Sequence, residues 1–198
     1  MKKNKSFYTR REFLRASAQG LAISGVSPFL TKSPMFALLK EGGEVSYRML
    51  GRTGLKASMV SFGVMTTDNP GVVVKAIRMG INHFDTANVY QSGNNEKMLG
   101  ELIKKENARD KLIIATKVAL GRDKSSGRFT ADATKETFIR QYEDGLKRLQ
   151  MAYADIVYVH NIISPEMVFH EPVLEAVTQL KKEGKVRFAG IATQQREE

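Results

Sequence analysis

Apolar residues along this chain switch between two spacings, and each switch marks an element. Val45 to Ser58 (V-S-Y-R-M-L-G-R-T-G-L-K-A-S) reads as a short β-hairpin turning at Gly51 to Gly54. The run Met59 to Met65 is mostly apolar and predicts a strand. A helix over about Pro70 to Met79 follows, stopped by Gly80. In G-I-N-H-F-D-T-A-N-V-Y, residues Ile81, His83 and Asp85 alternate with Asn82, Phe84 and Thr86. That period of two predicts a strand ending at Asp85, from which the chain runs on to Tyr90.

Asn95 to Lys105 places Met98, Leu99 and Leu102 on one helical face, and Lys111 to Leu120 is a nearly unbroken apolar strand. Gly121 to Thr130 is polar, carries Gly and Ser, and predicts a loop. The clearest helix spans Thr134 to Gln150, with Phe138, Tyr142, Leu146 and Leu149 in one stripe. Gly145 sits inside it at a cost of up to about 1 kcal/mol relative to alanine. Asp155 to His160 predicts a further strand, Pro165 to Lys182 a helix stopped by Glu183-Gly184-Lys185, and Val186 to Ala192 a last strand.

Strands alternating with helices imply right-handed crossovers and a parallel sheet, which makes the fold class α/β. An open doubly wound sheet would be favoured by G-x-G-x-x-G after the first strand, and the sequence has none. Instead, Asp85, Lys117 and His160 each stand at the C-terminal end of a strand, where (β/α)8 barrels carry their chemistry. The expectation is a partial (β/α)8 TIM barrel of about five of the eight strands, preceded by the hairpin. A complete barrel takes about 250 residues, so residues 41–198 suggest the N-terminal part of a longer, truncated barrel.

Charge changes the picture at one end only. The net charge is +10, but residues 1–40 hold eight Lys and Arg against Glu12 alone, a net +7, leaving +3 for the rest. A basic patch for nucleic acid is therefore not expected on the body. Thr9-Arg10-Arg11-Glu12-Phe13-Leu14-Arg15 precedes a weakly apolar stretch from Ala16 to Leu30. This layout resembles a twin-arginine export signal, which implies the export machinery as a partner and a periplasmic location. Pro28 and several polar residues make that stretch a poor membrane span, and Met35-Phe36-Ala37 a poor cleavage site, so an uncleaved segment retained at the membrane stays open. The chain has no cysteine, and His170-Glu171 does not extend to H-E-x-x-H, so no metal site is expected.

With these elements in order, the body resembles the aldo/keto reductase family. The likeness rests on Y-R-M-L-G-R-T-G-L-K-A-S, S-F-G-V-M, G-I-N-H-F-D-T-A-N-V-Y, N-N-E-K-M-L-G, I-I-A-T-K-V, L-K-R-L-Q-M-A-Y-A-D-I-V-Y-V-H-N and K-K-E-G-K-V-R-F-A-G-I, in the family's order. The resemblance implies hydride transfer between NADP and the carbonyl of an aldehyde or ketone. It places the catalytic roles on Asp85, Tyr90, Lys117 and His160, and cofactor contacts on Gly63, Met65, Asp85 and Thr193. The chemistry suits the set. A carbonyl that accepts hydride becomes an alkoxide, which needs a proton donor and a polar, positive setting. Where many members carry Ser-Asn after the fifth strand, this chain has Ala192-Thr193. Two other readings compete with the reductase. One is a non-catalytic binding or assembly module of the same family; the other is a lyase or isomerase barrel, which would call for paired acids or a metal cluster.

Overall fold

The computed structural model describes residues 45–193; the predicted export segment and Gln194 to Glu198 lie outside them. The described residues begin with an antiparallel hairpin, β1 (Tyr47–Met49) and β2 (Lys56–Ser58). Five parallel strands follow: β3 (Phe62–Gly63), β4 (His83–Asp85), β5 (Ile113–Val118), β8 (Ala154–Val159) and β9 (Val186–Ile191). They pair in the order β3-β4-β5-β8-β9, so each new strand adds beside its predecessor, as in a barrel wall. Helices α1 (Pro70–Arg78), α2 (Asn94–Lys105), α3 (Lys135–Leu149), α4 (Pro165–Val168) and α5 (Glu171–Lys182) supply the crossovers. The fold is thus a partial (β/α)8 barrel, as the sequence led one to expect.

Strand alternation sorts side chains onto two faces. Phe84 and Ile114 pack outward with Val73 and Ala76 of α1 and Leu99 and Ile103 of α2. Val157 and Val159 pack outward with Phe138, Tyr142 and Leu146 of α3 and Ala176 and Leu180 of α5. Burying one such large apolar side chain contributes about 1.5–3 kcal/mol, so these two layers fix the helices against the sheet. The inward face is smaller: Ile113, Ala115 and Ile156 meet Leu55 and Ala57 of the hairpin, with Tyr158 and Phe188 at the side. Asn82 secures the hairpin there. Its Oδ1 accepts from Ser58 N at 2.7 Å and its Nδ2 donates to Lys56 O at 2.8 Å.

Three predicted elements change shape. The expected strand over Met59 to Met65 shrinks to Phe62–Gly63: Met59 and Val60 are 61% and 64% exposed, and Met59 N donates to Ser46 O at 2.8 Å, on the hairpin side rather than to the parallel sheet. The expected helix over Pro165 to Lys182 breaks at Phe169 and His170. A continuous helix would need Pro172 to donate an N–H to Val168, and proline has none, so Pro172 sits instead in the first turn of α5. The expected loop over Gly121 to Thr130 contains a small hairpin, β6 (Arg122–Asp123) and β7 (Arg128–Phe129). Its turn is closed by Asp123, whose Oδ1 accepts from Ser125 N and Oγ at 2.9 and 2.7 Å.

Candidate active site

The predicted quartet converges at the C-terminal rim. Asp85 and Lys117 lie on adjacent strands with side chains on the same face, and Lys117 stands two residues past Ala115, the register partner of Asp85. Beyond β4 the ladder continues into the loop: Thr86 N donates to Ala115 O at 2.9 Å and Asn88 N to Lys117 O at 3.0 Å. Those two bonds carry the chain along β5 and turn Tyr90 back over Lys117. On the other side, His160 N donates to Val118 O at 2.9 Å, which holds the imidazole one residue past β8.

Lys117 is 7% exposed, and an ammonium so enclosed needs a partner for each of its three donors. It has them. Nζ pairs with Asp85 Oδ1 and donates to Thr86 O at 3.0 Å and to Tyr90 Oη at 3.2 Å. The Tyr90 ring meets the His160 ring edge-on, with centroids 5.7 Å apart and planes at 81°. Burial, and then the Lys117 charge, push the His160 pKa below the ordinary imidazole value, so the ring is favoured in its neutral form. Its Nδ1 is buried without a hydrogen-bond partner among the described residues.

The residues expected to touch a cofactor lie at the same ends of the sheet. Gly63 pairs in register with Asp85, and nothing stands within 4 Å of the position a Cβ would take there. Met65 is 50% exposed, and Thr193, also exposed, follows β9. The other inward histidine, His83, is half-buried, and its Nδ1 lies 2.8 Å from Ser61 Oγ. Among the described residues no group of His, Cys, Asp and Glu could hold a metal ion. A groove between α3 and α5, lined by Lys135, Glu171 and Glu175, lies on the outer face and includes none of the quartet.

Residues the sequence reading passed over stand directly behind the quartet. Asn95 and Glu96 are both wholly buried at the start of α2. Asn95 Nδ2 donates to Val64 O at 2.7 Å and Thr67 O at 3.2 Å, and its Oδ1 accepts from Thr86 Oγ1 at 3.2 Å, so it ties the ends of β3 and β4 together. Glu96 accepts from Thr116 Oγ1 at 2.6 Å and from Arg148 Nε at 2.8 Å. Their one signal in the sequence is position: Asn95 and Glu96 precede Leu99 and Gly100 by four residues, on the face α2 buries.

These features define an α/β barrel chain with an ionisable cluster at its C-terminal rim. A model of the aldo/keto reductase family matches residues 65–197. L-galactose dehydrogenase of Arabidopsis thaliana is 37% identical over 161 residues, covering 75% of this chain and 48% of that protein. L-glyceraldehyde 3-phosphate reductase of Escherichia coli is 29% identical over 163 residues, covering 76% and 46%. Among solved structures, the holo form of aldo-keto reductase AKR11C1 from Bacillus halodurans aligns with a TM-score of 0.65 at 29% identity, covering 76% of this chain and 51% of that one. The chain spans about half the length of these relatives. It belongs to the aldo/keto reductase family.

Proposed function

We propose that the protein is an NADP-dependent oxidoreductase that reduces the carbonyl of an aldehyde or ketone, with Tyr90 as the proton donor. The observation that carries this reading is the Tyr90 hydroxyl held 3.2 Å from an ammonium that is itself buried and paired with Asp85. The rim suits a nicotinamide. Open space at Gly63 leaves room for a flat ring, and Met65, Asp85 and Thr193 would hold it there. When bound, a reduced nicotinamide nucleotide supplies the hydride and its electron pair.

The protein's own groups handle the oxygen. Neutral His160 donates a hydrogen bond that orients the carbonyl oxygen, and Tyr90 Oη gives that oxygen a proton as charge builds on it. The carbonyl carbon gains hydride, the oxygen gains the phenolic proton, and the product is an alcohol. Lys117 steadies the tyrosinate left behind until water reprotonates it, and Asp85 fixes the ammonium in place. The test is carbonyl-dependent oxidation of NADPH, and of NADH in parallel, by the full chain against a panel of aldehydes and ketones. Turnover that Tyr90→Phe abolishes is expected; no turnover on any member of the panel would sink the reading.

We also propose export of the protein by the twin-arginine route to the periplasm, on the strength of Arg10-Arg11 within its basic leader. Replacing both arginines by lysine should leave a fused reporter inside the cell. Unimpaired export of that variant would count against the route.

A further inference from the structure

Glu96 is a carboxylate with no exposed surface that the proposed chemistry does not use. It lies in the first turn of α2, three residues after the turn Tyr90–Gly93 ends. Its two oxygens accept from Thr116, the neighbour of Lys117 in β5, and from Arg148 in the last turn of α3. The space it occupies is kept free: a Cβ on Gly145 would lie 2.9 Å from Glu96 Oε1.

The turn it adjoins is strained. Gln91, Ser92 and Gly93 have φ of 49°, 55° and 87°, three left-handed residues in succession. Glycine takes that conformation freely, but for other residues it is costly and lasts only where surrounding structure imposes it. At the end of this turn the Arg148 side chain runs against Gly93 so closely that a Cβ there would meet Cδ and Nε at 2.9 Å. Arg148 in turn is fixed by Glu96. One buried carboxylate therefore connects the strand that carries Lys117 to the turn that begins at Tyr90.

We propose that Glu96, acting through Arg148 and Thr116, is a positioning residue that sets the distance between Tyr90 Oη and Lys117 Nζ. Its catalytic consequence rests on the reductase reading of those two residues; the distance itself does not. Glu96→Gln keeps the side-chain volume and an acceptor for Thr116 but gives up the charge on which Arg148 is anchored. The double variant Glu96→Gln with Arg148→Met also removes the guanidinium that would otherwise be left unpaired, so it recovers stability without recovering the anchor.

In the full chain, Glu96→Gln should lower kcat by about ten- to a hundredfold while the carbonyl KM stays within about twofold, as expected of misplacement near 1 Å. The double variant should melt closer to the wild type and remain slow. A merely structural role predicts that kcat per folded molecule stays at the wild-type level in both, and that result overturns the proposal. If Glu96→Gln does not fold, the double variant and Arg148→Gln, at a side chain 32% exposed, carry the same comparison. If the wild type shows no turnover, the reductase reading fails separately, and crystal structures of the variants decide. A Tyr90 to Lys117 distance beyond about 3.5 Å, outside hydrogen-bond reach, supports the proposal. Retention of the 3.2 Å contact overturns it.

Discussion

Lys117 Nζ lies 3.2 Å from the Tyr90 hydroxyl and 4.9 Å from the centre of its ring. The ammonium thus faces the phenol at its oxygen, with Asp85 and the Thr86 carbonyl occupying its other donors. No donor is left over to rotate away, so the contact is fixed by saturation as much as by attraction.

Removing either member should separate chemistry from folding. Tyr90→Phe deletes only the phenolic hydroxyl and, on the proposed role of Tyr90, is expected to reduce kcat by about 10²–10⁴-fold, the usual contribution of a positioned acid. Lys117→Met should reduce kcat comparably and also lower the melting temperature, because it leaves Asp85 without its partner. Steady-state kinetics beside thermal melts would check both; equal activity in Tyr90→Phe and wild type would remove Tyr90 from the mechanism.

Acid should destabilise the fold through its inward histidines. Burial is the largest cause pushing both His83 and His160 below the ordinary value of 6.5. The unfolded chain then binds protons at a higher pH than the folded one, so stability is fully present above 6.5 and is lost as pH falls below it, until the depressed folded values are passed. Melting temperatures measured from about pH 7 to about pH 5 should fall, and the fall should shrink in His160→Gln, whose side chain does not titrate.

Two glycines inside helices should resist alanine despite alanine's better helix propensity. At Gly100 a Cβ would lie 2.4 Å from Leu149 O, and backbone cannot step aside cheaply. Gly100→Ala is expected to cost about 1–3 kcal/mol, as overpacking does. At Gly145 the obstacle is Glu96 Oε1 at 2.9 Å, so Gly145→Ala should forfeit the roughly 1 kcal/mol of propensity it would otherwise gain. Urea titrations would check both, and a stabilised Gly145→Ala would show that Glu96 can move.

At the opposite end of β8 from His160, Asp155 is 2% exposed and gathers Arg109 at 3.0 Å, Arg187 at 2.9 Å and Ile114 N at 2.9 Å. Asp155→Ala should destabilise by about 3 kcal/mol, the low end for breaking a buried ion pair, since the Arg187 side chain is 46% exposed and reaches water. Denaturant unfolding would measure the loss. Turnover of the molecules that remain folded should be unchanged, because this cluster lies at the N-terminal ends of the strands.

The sequence made some of this legible and hid the rest for physical reasons. Asp85, Lys117 and His160 stood out because each interrupts an apolar strand at its C-terminal end. Tyr90 lies on a loop and was recognisable only through its motif. The stripe Phe138, Tyr142, Leu146 and Leu149 turned up buried as its period demanded. Glu96 escaped notice because periodicity sorts residues by polarity, and a charged residue on an apolar face reads as a surface position until its partners are seen. Gly145 showed the other side of the same blindness: it looked like a weak point in α3 and is in fact the clearance for that carboxylate. The β6–β7 hairpin was missed because two-residue strands leave no period to detect.

That hairpin is held by Arg122 Nη1 to Asn161 O at 2.9 Å, by Ser164 Oγ to Gly127 O and by Phe129 packed on the outer core beside His170, whereas the quartet is braced from strands, loop and helices. The hold on Tyr90 and Lys117 therefore passes through none of the hairpin's residues, and exchanging side chains along β6 and β7 leaves their 3.2 Å contact its own supports.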